Sequence, residues 1–569
     1  MKFSKFKSEL KKEYNDTFKE IKVKRSFDFQ FKFRYVFYAF MLFIGILLIG
    51  NHVSVLIYNS QLDDIKEAKL NSKDFNKIDN VNDYQKLKQN YSYHEKTSFL
   101  SFILTMEIGC AAKGGNMEVE PPADGGNSFD TNVQTKGIDE ADISKCDGKY
   151  VYSLANNRLV VYDLNGNVIS TTLDNGKEIY VSGNNIVSFG DKACVVYKFD
   201  KELIEKMRFD YEAYIDSRLV DNNVYLVTRN RVYEENILYG NCYYDDLGSL
   251  LYNFSIIDIN LEDYSCNMVQ TLSGYNAVVY MSNSNFYVAS SGYCNGDITS
   301  IMMYDINLNP QGIMRVEGTV LNQFSMDEYN GYLRVVSTDD EKEAERLNSI
   351  SVFDLKTLNR VGYLNEGIGI GRQIIKSVRF DKDVCYCVTY ENTDPLYEIS
   401  LRDPLNPQIV SIYKAPGYSN YLHNFVIGDK EYILGLGYTD SRINTKISIY
   451  VNEEETIQIG KDYILGYDDY YDQCDYISNS LNQEMFVNHK SLFIYNDGDC
   501  LYLGANVCLD KYVIFKIDVN DVDNLVSVYK TIDNDYDYKQ YDCRAFLVDG
   551  KLLVTTSTEL KVCDWKEQK

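Results

Sequence analysis

An all-β fold is predicted for most of this chain by a strand signature that recurs along it. The signature is an aliphatic run that ends in an aromatic residue and an aspartate, and it occurs at Arg158–Asp163, Ser300–Asp305 and Ser349–Asp354. Looser versions lie at Ser255–Asp258 and Tyr512–Asp518. A polar turn and another β-rich run follow each one, which indicates one supersecondary unit stacked many times around a shared core. We interpret the terminal aspartate as a turn-forming residue.

The composition supports a strand-rich chain. It contains 50 Tyr and 27 Phe against one Trp, and aromatic residues of this kind are typical of strands. Only seven prolines are present, so Asn, Asp and Gly must form most turns. A net charge of −25 repels phosphate backbones, so we expect no nucleic-acid partner.

Counting the β-rich units predicts a β-propeller of eight blades, with seven as the alternative. The first and last units are short, so we expect the two chain ends to complete one blade between them and to close the ring without exposed edges. Trp-Asp dipeptides and repeated Trp motifs are absent, which argues against the best-understood enzymatic propellers. The units span residues 144–173, 177–209, 213–270, 275–317, 321–364, 374–414, 420–457, 484–530 and 541–565.

A single membrane span is predicted before the propeller, at residues 35–58. Residues 35–50 are uninterrupted apolar sequence, which resumes at 53–58 and is long enough to cross a bilayer as a helix. Residues 1–34 carry eleven Lys/Arg, so this basic tail should stay in the cytoplasm and the propeller outside. The alternative is a cleaved signal peptide, but the basic region is too long for one. We expect an uncleaved anchor in the cell membrane.

Two further segments separate this span from the ring. Residues 59–110 are mostly polar with a weak helical stripe, which predicts a partly helical stalk. Residues 111–128 combine Gly, Pro and acids, which is typical of a flexible linker. The propeller then occupies residues 129–569.

Three longer blocks carry a more specific signal. They are Thr131–Gln134 with Gly137–Ile143 and Lys145–Tyr152; Leu321–Tyr329 with Gly331–Thr338; and Val378–Asp381 with Val388–Tyr390, Asp394–Tyr397, Asp403–Pro407 and Pro416–His423. In these blocks the chain resembles a family of secreted bacterial and archaeal proteins with a C-terminal β-propeller domain distantly related to WD-40 repeats. The resemblance covers the repeat region and implies an extracytoplasmic propeller, but it implies no catalytic or binding residues. Asn424 also stands where the family has Pro.

The acidic cluster of Asp139, Glu140, Asp142 and Asp147 is a candidate site for a divalent cation, since carboxylate oxygens are the ligands that hard cations prefer. The spacing lacks that of a dedicated calcium loop. We therefore favour the alternative that these acids accept backbone N–H groups where the chain enters the first blade. No cofactor is predicted.

The remaining candidates are basic residues and cysteines. His423 is a candidate general base, although we favour a structural role in a tight turn. Arg334 and Arg379 could recognise carboxylates or phosphates, but we expect them to tie strands to acidic neighbours. The thirteen cysteines show no disulfide framework. One hypothesis is that Cys146 bridges to Cys543 or Cys563 near the ring closure.

These observations predict a non-enzymatic, membrane-anchored extracellular propeller that binds a protein, a peptide or a cell-wall polymer at one of its faces. One alternative is an extracytoplasmic hydrolase with its site in the central channel. Another is a sensor that passes an external signal across the membrane, but the 34-residue tail is too short for a catalytic domain.

Overall fold

The computed structural model describes one folded unit, which lies within Ser72–Lys569. The predicted tail 1–34, membrane span 35–58 and linker 111–128 lie outside the described residues. In the part that is described, no helix combines the length and the hydropathy needed to cross a bilayer. The described residues are 75–88, 130–245, 252–274, 276–291, 298–339, 347–369, 373–390, 394–415, 417–439, 444–452, 456–465, 488–508, 511–533 and 543–566.

Across these ranges the strands form nine sheets, which we call blades 1 to 9 in chain order. The first strand, β1 (Asn76–Ile78), joins blade 3. Blade 1 contains β2 (Ser144–Cys146), β3 (Tyr150–Ala155), β4 (Arg158–Asp163) and β5 (Val168–Leu173). Blade 2 contains β6 (Gly176–Ser182), β7 (Asn185–Gly190), β8 (Ala193–Asp200) and β9 (Glu202–Asp210). Blade 3 contains β10 (Ala213–Val220), β11 (Asn223–Arg231), β12 (Cys242–Tyr244), β13 (Tyr252–Asn260) and β14 (Cys266–Ser273).

The next three blades each have four antiparallel strands in sequence order. Blade 4 contains β15 (Asn276–Met281), β16 (Asn285–Ser291), β17 (Ile298–Asp305) and β18 (Pro310–Glu317). Blade 5 contains β19 (Met326–Tyr329), β20 (Tyr332–Asp339), β21 (Leu347–Asp354) and β22 (Arg360–Leu364). Blade 6 contains β23 (Ile374–Asp381), β24 (Val384–Tyr390), β25 (Asp394–Ser400) and β26 (Gln408–Ala415).

The last three blades complete the ring. Blade 7 contains β27 (Tyr418–Ile427), β28 (Lys430–Tyr438), β29 (Thr445–Asn452) and β30 (Thr456–Leu465). Blade 8 contains β31 (Phe493–Asn496), β32 (Leu501–Cys508), β33 (Lys511–Ile517) and β34 (Val526–Asp533). The described strands of blade 9 are β35 (Arg544–Val548), β36 (Lys551–Thr555) and β37 (Leu560–Asp564). Short 3₁₀ helices, Gln323–Ser325 and His489–Ser491, precede β19 and β31.

The prediction of eight blades, or seven, is therefore wrong, because the described strands form nine sheets and those at the two ends of the ring lie in separate sheets. Blade 1 has four strands of its own, and no described strand pairs it with blade 9. The two blades instead meet through a buried apolar seam that includes Val151 and Tyr162 on one side and Phe546 and Leu553 on the other. Side-chain packing thus closes the ring where strand sharing was expected.

The aspartates that end the three strict signature strands form turns, as interpreted from the sequence, whereas Asp258 of a looser version lies within β13 and bonds to Asn223. Asp163 Oδ1 accepts the backbone N–H groups of Asn165 at 2.8 Å and Asn167 at 2.9 Å. Asp305 makes the same pair of bonds in blade 4, to residues 307 and 309. A carboxylate that accepts backbone N–H groups of its own turn stabilises that turn. These aspartates are therefore structural residues and not candidates for a binding or catalytic site.

Part of the segment predicted as a stalk packs against blade 3. β1 pairs antiparallel with β12, and residues 81–88 form a helix. Ile78, Tyr84 and Leu87 are buried in one apolar cluster with Leu272 of β14. Residues 75–88, which lie in the segment 59–110 predicted as a stalk, therefore extend blade 3 of the propeller.

The two rims of the ring differ in their connections. In an antiparallel blade, the turn between the first and second strands lies at one rim. The connection between the second and third strands and the connection to the next blade start from the opposite rim. The first rim has tight turns, such as residues 183–184 and 221–222. At the opposite rim, long stretches of sequence separate the strand ends Arg231 and Tyr252, Leu465 and Phe493, and Asp533 and Arg544. We call it the long-loop rim.

Candidate functional site

Residues 130–143, which we call the hub segment, bridge the first strands of many blades. First strands of neighbouring blades contact one another, for example β2 with β6 and β23 with β27, so they surround the centre of the ring. The hub segment makes two isolated β-bridges to them: Asp139 with Leu219 of β10 and Asp142 with Ile179 of β6. These bridges fix its path by backbone hydrogen bonds.

Polar side chains of the hub segment reach the other side of the ring. Asn132 Nδ2 donates to the His489 carbonyl at 3.0 Å and to the Tyr421 hydroxyl at 3.3 Å, in blades 8 and 7. Gln134 Nε2 donates to the carbonyls of residues 323 and 326, each at 3.1 Å, in blade 5. Thr135 Oγ1 donates to the carbonyl of Met281 in blade 4 at 3.1 Å. The segment therefore ties separate blades together.

Glu140 lies at the centre of this polar network and is buried. Its Oε1 accepts from Gln323 Nε2 at 2.9 Å and from the Gln134 backbone N–H at 3.1 Å, and its Oε2 lies 3.0 Å from His489 Nε2. Burial alone would raise the pKa of Glu140, but Arg218, His489 and Lys490 together lower that pKa below its ordinary value. The Glu140 carboxylate therefore stays ionised, and both of its oxygens have hydrogen-bond partners.

The other acids of the predicted cation cluster have separate partners. Asp139 accepts from Lys145 Nζ at 2.6 Å, and Asp142 Oδ2 accepts from Arg544 Nε at 2.7 Å. Burial raises the pKa of Asp139, and Lys145 opposes that rise. No group of three His, Cys, Asp or Glu residues suited to a metal occurs in the described ranges. The hub acids are thus neutralised by cations of the same chain.

Asp147 lies apart from these acids. Its Oδ1 accepts the backbone N–H groups of Lys149 at 2.8 Å and Tyr150 at 2.7 Å, and its Oδ2 accepts from the Tyr152 hydroxyl at 2.9 Å. Accepting backbone N–H groups is the role that we favoured for the cluster. Glu140 and Asp142 share it, since they accept from the backbone N–H groups of Gln134 at 3.1 Å and Ile143 at 2.8 Å.

His423 lies in the middle of β27, not in the expected tight turn. Its Nδ1 is 3.1 Å from the Tyr421 hydroxyl, and its buried Nε2 has no hydrogen-bond partner. Burial, followed by the Arg379 guanidinium, lowers the pKa of His423 well below its ordinary value. No serine or carboxylate of the described chain is bonded to this ring, so it lacks the partners of a catalytic triad.

The two candidate arginines differ from each other. Arg334 pairs with Asp327 through Nε at 3.0 Å and also through Nη2, and it packs over the rings of Tyr329 and Phe380. The expected tie to an acidic neighbour is confirmed there. Arg379 is as deeply buried, but its Nε and Nη2 have no hydrogen-bond partner.

The sequence did not identify Lys145, Gln323, Lys490 or Arg544 as hub residues. Lys145 and Gln323 lie inside the resemblance blocks, which was the one available signal. Lys490 donates to the Ala141 carbonyl at 2.6 Å and pairs with Glu178, although it lies far along the chain from both. Neither Lys490 nor Arg544 belongs to a motif that sequence alone could recognise.

The proposed disulfide at the closure is not formed. None of Cys146, Cys543 and Cys563 takes part in a disulfide bond. Cys146 packs with the seam between blades 1 and 9, whereas Cys543 and Cys563 belong to the apolar layer between blades 8 and 9. They face different layers, so a bridge between them would need backbone movement.

Sequence comparison agrees with this architecture. A family profile described as Beta propeller domain matches residues 129–567. The chain belongs to this propeller family. An uncharacterised protein of Archaeoglobus fulgidus is 41% identical over 152 residues, which cover 27% of this chain and 23% of that relative. An uncharacterised protein of Methanocaldococcus jannaschii is 26% identical over 524 residues and 72% of this chain, with 81% of the relative covered.

Solved propellers resemble the chain only distantly. Hsv2 of Kluyveromyces lactis aligns with a TM-score of 0.33 and 12% identity, covering 56% of this chain and 96% of Hsv2. The β-propeller domain of the Trilobed protease from Pyrococcus furiosus aligns with a TM-score of 0.31 and 12% identity, covering 63% of this chain and 96% of that domain.

Proposed function

We propose that this propeller is a membrane-anchored extracellular binding module that holds a cationic protein, peptide or polymer segment at its long-loop rim. The observation that carries the proposal is the difference between the two rims. Repeat proteins concentrate insertions on the face that binds, because loops on a rigid scaffold vary without disturbing the core. The resemblance to secreted propellers distantly related to WD-40 repeats is consistent with this role.

Two of the sequences that connect strand ends of this rim have an amino-acid composition that suggests the chemistry of the partner. Together, residues 466–487 and 534–542 contain eight acidic residues and seven tyrosines against one lysine. Acidic groups attract cations, and tyrosine provides a large contact surface with a polar end. The acids are Asp468, Asp469, Asp472, Asp475, Glu484, Asp535, Asp537 and Asp542, and the tyrosines are Tyr467, Tyr470, Tyr471, Tyr476, Tyr536, Tyr538 and Tyr541.

The proposed location rests on residues 1–58, whose apolar span and basic flank favour a cytoplasmic N-terminus and an external ring. Protease added to intact cells should remove the ring and leave a short membrane-bound fragment. A ring that is digested only after the cells are lysed would contradict the external location.

The hub supports binding over hydrolysis. Its acids are held by cations and amides of the same chain, so they are not arranged as a general acid and base around an open space. This arrangement of the hub acids is that expected of residues that stabilise the scaffold.

Binding to the rim can be tested with the full chain in detergent and a lysine-rich peptide as the probe. Neutralising three rim acids together (Asp535→Asn, Asp537→Asn and Asp542→Asn) should weaken binding by about tenfold and reduce its salt dependence. The matched control neutralises three aspartates of the tight-turn rim: Asp221→Asn, Asp429→Asn and Asp499→Asn. Equal loss in both triple variants would indicate only general charge attraction and would contradict a rim site.

A further inference from the structure

Eight lysines and arginines are buried among the described residues, and seven of them have an oxygen partner in the chain. A buried charge without a partner is expensive, so this pairing is expected. Arg379 is the exception: only 3% of it is exposed, and its Nε and Nη2 bond to nothing. The paired residues are Lys145 with Asp139, Arg218 with Asp216, Arg315 with Asp245, Arg334 with Asp327, Lys446 with Asp462, Arg544 with Asp142, and Lys530 with the carbonyl of Asp564.

The Arg379 side chain lies on the face of β23 that packs against β27. On that face Ser377 Oγ donates to the Ser419 carbonyl at 3.2 Å, and Asp381 Oδ2 accepts from Asn424 Nδ2 at 2.7 Å. Alternate residues of a strand share a face, so Arg379, midway between Ser377 and Asp381, points to the same side.

The two unpartnered nitrogens form one edge of the guanidinium. Nε–H and the outer N–H of Nη2 are parallel, and this edge matches the two oxygens of a carboxylate or a similar oxyanion. Arg334 uses its equivalent edge on Asp327 in the neighbouring blade. Arg379 therefore has an unused binding edge of a kind that the same protein occupies elsewhere.

Neighbouring groups leave this charge uncompensated. Asp381, the acid on the same face, bonds to Asn424 and makes no ion pair with Arg379. His423 Nε2, from β27, is also buried without a hydrogen-bond partner. Water could satisfy the hydrogen bonds, but only an anion would neutralise the guanidinium.

We propose that one small carboxylate or similarly shaped oxyanion binds where β23 packs against β27, held through Nε and Nη2 of Arg379. The site is separate from the long-loop rim and does not depend on its partner. The net charge of the chain is negative, so nonspecific electrostatic attraction would not concentrate anions at this protein, and binding requires a specific site such as Arg379.

The test measures thermal unfolding of the full chain while sodium acetate replaces sodium chloride at constant ionic strength. Acetate should raise the wild-type melting temperature saturably, as expected for a ligand that binds only the folded state. Arg379→Gln should abolish the rise. Arg379→Lys keeps the charge but lacks the two-pronged edge, so it should weaken acetate binding by about tenfold.

Arg334→Gln is the matched control, since it removes a buried arginine that already has a carboxylate partner. It should lower the melting temperature but keep the acetate response.

The proposal fails if acetate has no effect on the melting temperature of the wild type, or if the melting temperature of Arg379→Gln still rises with acetate. If the wild type shows no acetate effect and Arg379→Gln is nevertheless destabilised, the partner of Arg379 is a carboxylate of the protein itself, and the proposal also fails. Diffraction from crystals soaked in sodium acetate should show the anion beside Arg379, and if Arg379→Gln does not fold, the soak and Arg379→Lys decide.

Discussion

His423 is a titratable residue that the fold keeps neutral. It has no solvent exposure, and its Nδ1 shares a hydrogen bond with the Tyr421 hydroxyl, which also receives one from Asn132. Protonation would add a second positive charge beside Arg379 in an apolar setting. The folded state therefore resists protonation, whereas an unfolded histidine gains its proton near pH 6.5.

This difference predicts how stability depends on pH. Because the pKa of His423 is depressed in the folded state, its contribution to stability is present above about pH 6.5 and is lost as the pH falls below that value. Below pH 6 the free energy of unfolding of the wild type should fall, relative to His423→Gln, by about 1.4 kcal/mol per pH unit. Urea unfolding of both proteins between pH 7.5 and 5 measures the difference. Parallel profiles would show that His423 is protonated in the fold.

The passage from blade 4 to blade 5 depends on a glycine. Gly318 follows β18 with φ +76°, and its carbonyl accepts from Thr299 Oγ1 at 2.7 Å. The next residue, Thr319, forms an isolated bridge with Thr338 of β20, which joins the two blades. A Cβ at Gly318 would lie 2.1 Å from the Thr338 carbonyl oxygen, so the close approach requires glycine.

Gly318→Ala should therefore destabilise the protein beyond the cost of the backbone angle alone. Gly183, in the tight turn between β6 and β7, is the matched control, because its φ is +55° and nothing lies within 4 Å of the position that a Cβ would take. Gly183→Ala should cost about 1 kcal/mol for the left-handed conformation. Gly318→Ala should cost at least about 3 kcal/mol, because the backbone at Thr338 must also move. Equal urea midpoints for the two variants would contradict the contact.

Structural features that depend on residues close together in the sequence could be predicted, and features that depend on residues far apart in the sequence could not. The turn at Asp163 depends on residues within four positions, so its pattern is visible in the chain. The hub role of Glu140 depends on His489, 349 positions away, so the acids suggested a cation site. Arg334 and Arg379 have similar sequence settings, and only the fold shows which one has a carboxylate beside it.

At the scale of the whole ring, the number of β units was visible but the manner of closure was not. Nine units can be counted in the sequence, and the structure has nine blades. The error came from assuming that two short end units share a sheet. Whether strands or side chains close a ring depends on packing between residues far apart in the chain, as at Tyr162 and Leu553, which no local pattern reveals.

The ring is also closed by a buried ion pair between its two ends. Asp142 of the hub segment, just before blade 1, accepts from Arg544 in the first strand of blade 9, and both side chains are only 4% exposed. Ser144 Oγ adds a 3.3 Å hydrogen bond to Thr555 Oγ1 of blade 9. These contacts and the apolar seam connect chain segments that lack a shared strand.

Arg544→Met should therefore weaken the closure of the whole molecule. Removing one partner leaves the Asp142 carboxylate buried without its ion pair, which costs about 3–5 kcal/mol. Lys382→Met is the control, because its 2.8 Å pair with Glu431 is more than half exposed on both sides and should contribute less than about 1 kcal/mol. Urea unfolding followed by tyrosine fluorescence measures both. A small loss that matches the control would mean that the apolar seam alone closes the ring, whereas the expected large loss assigns closure to the buried pair as well.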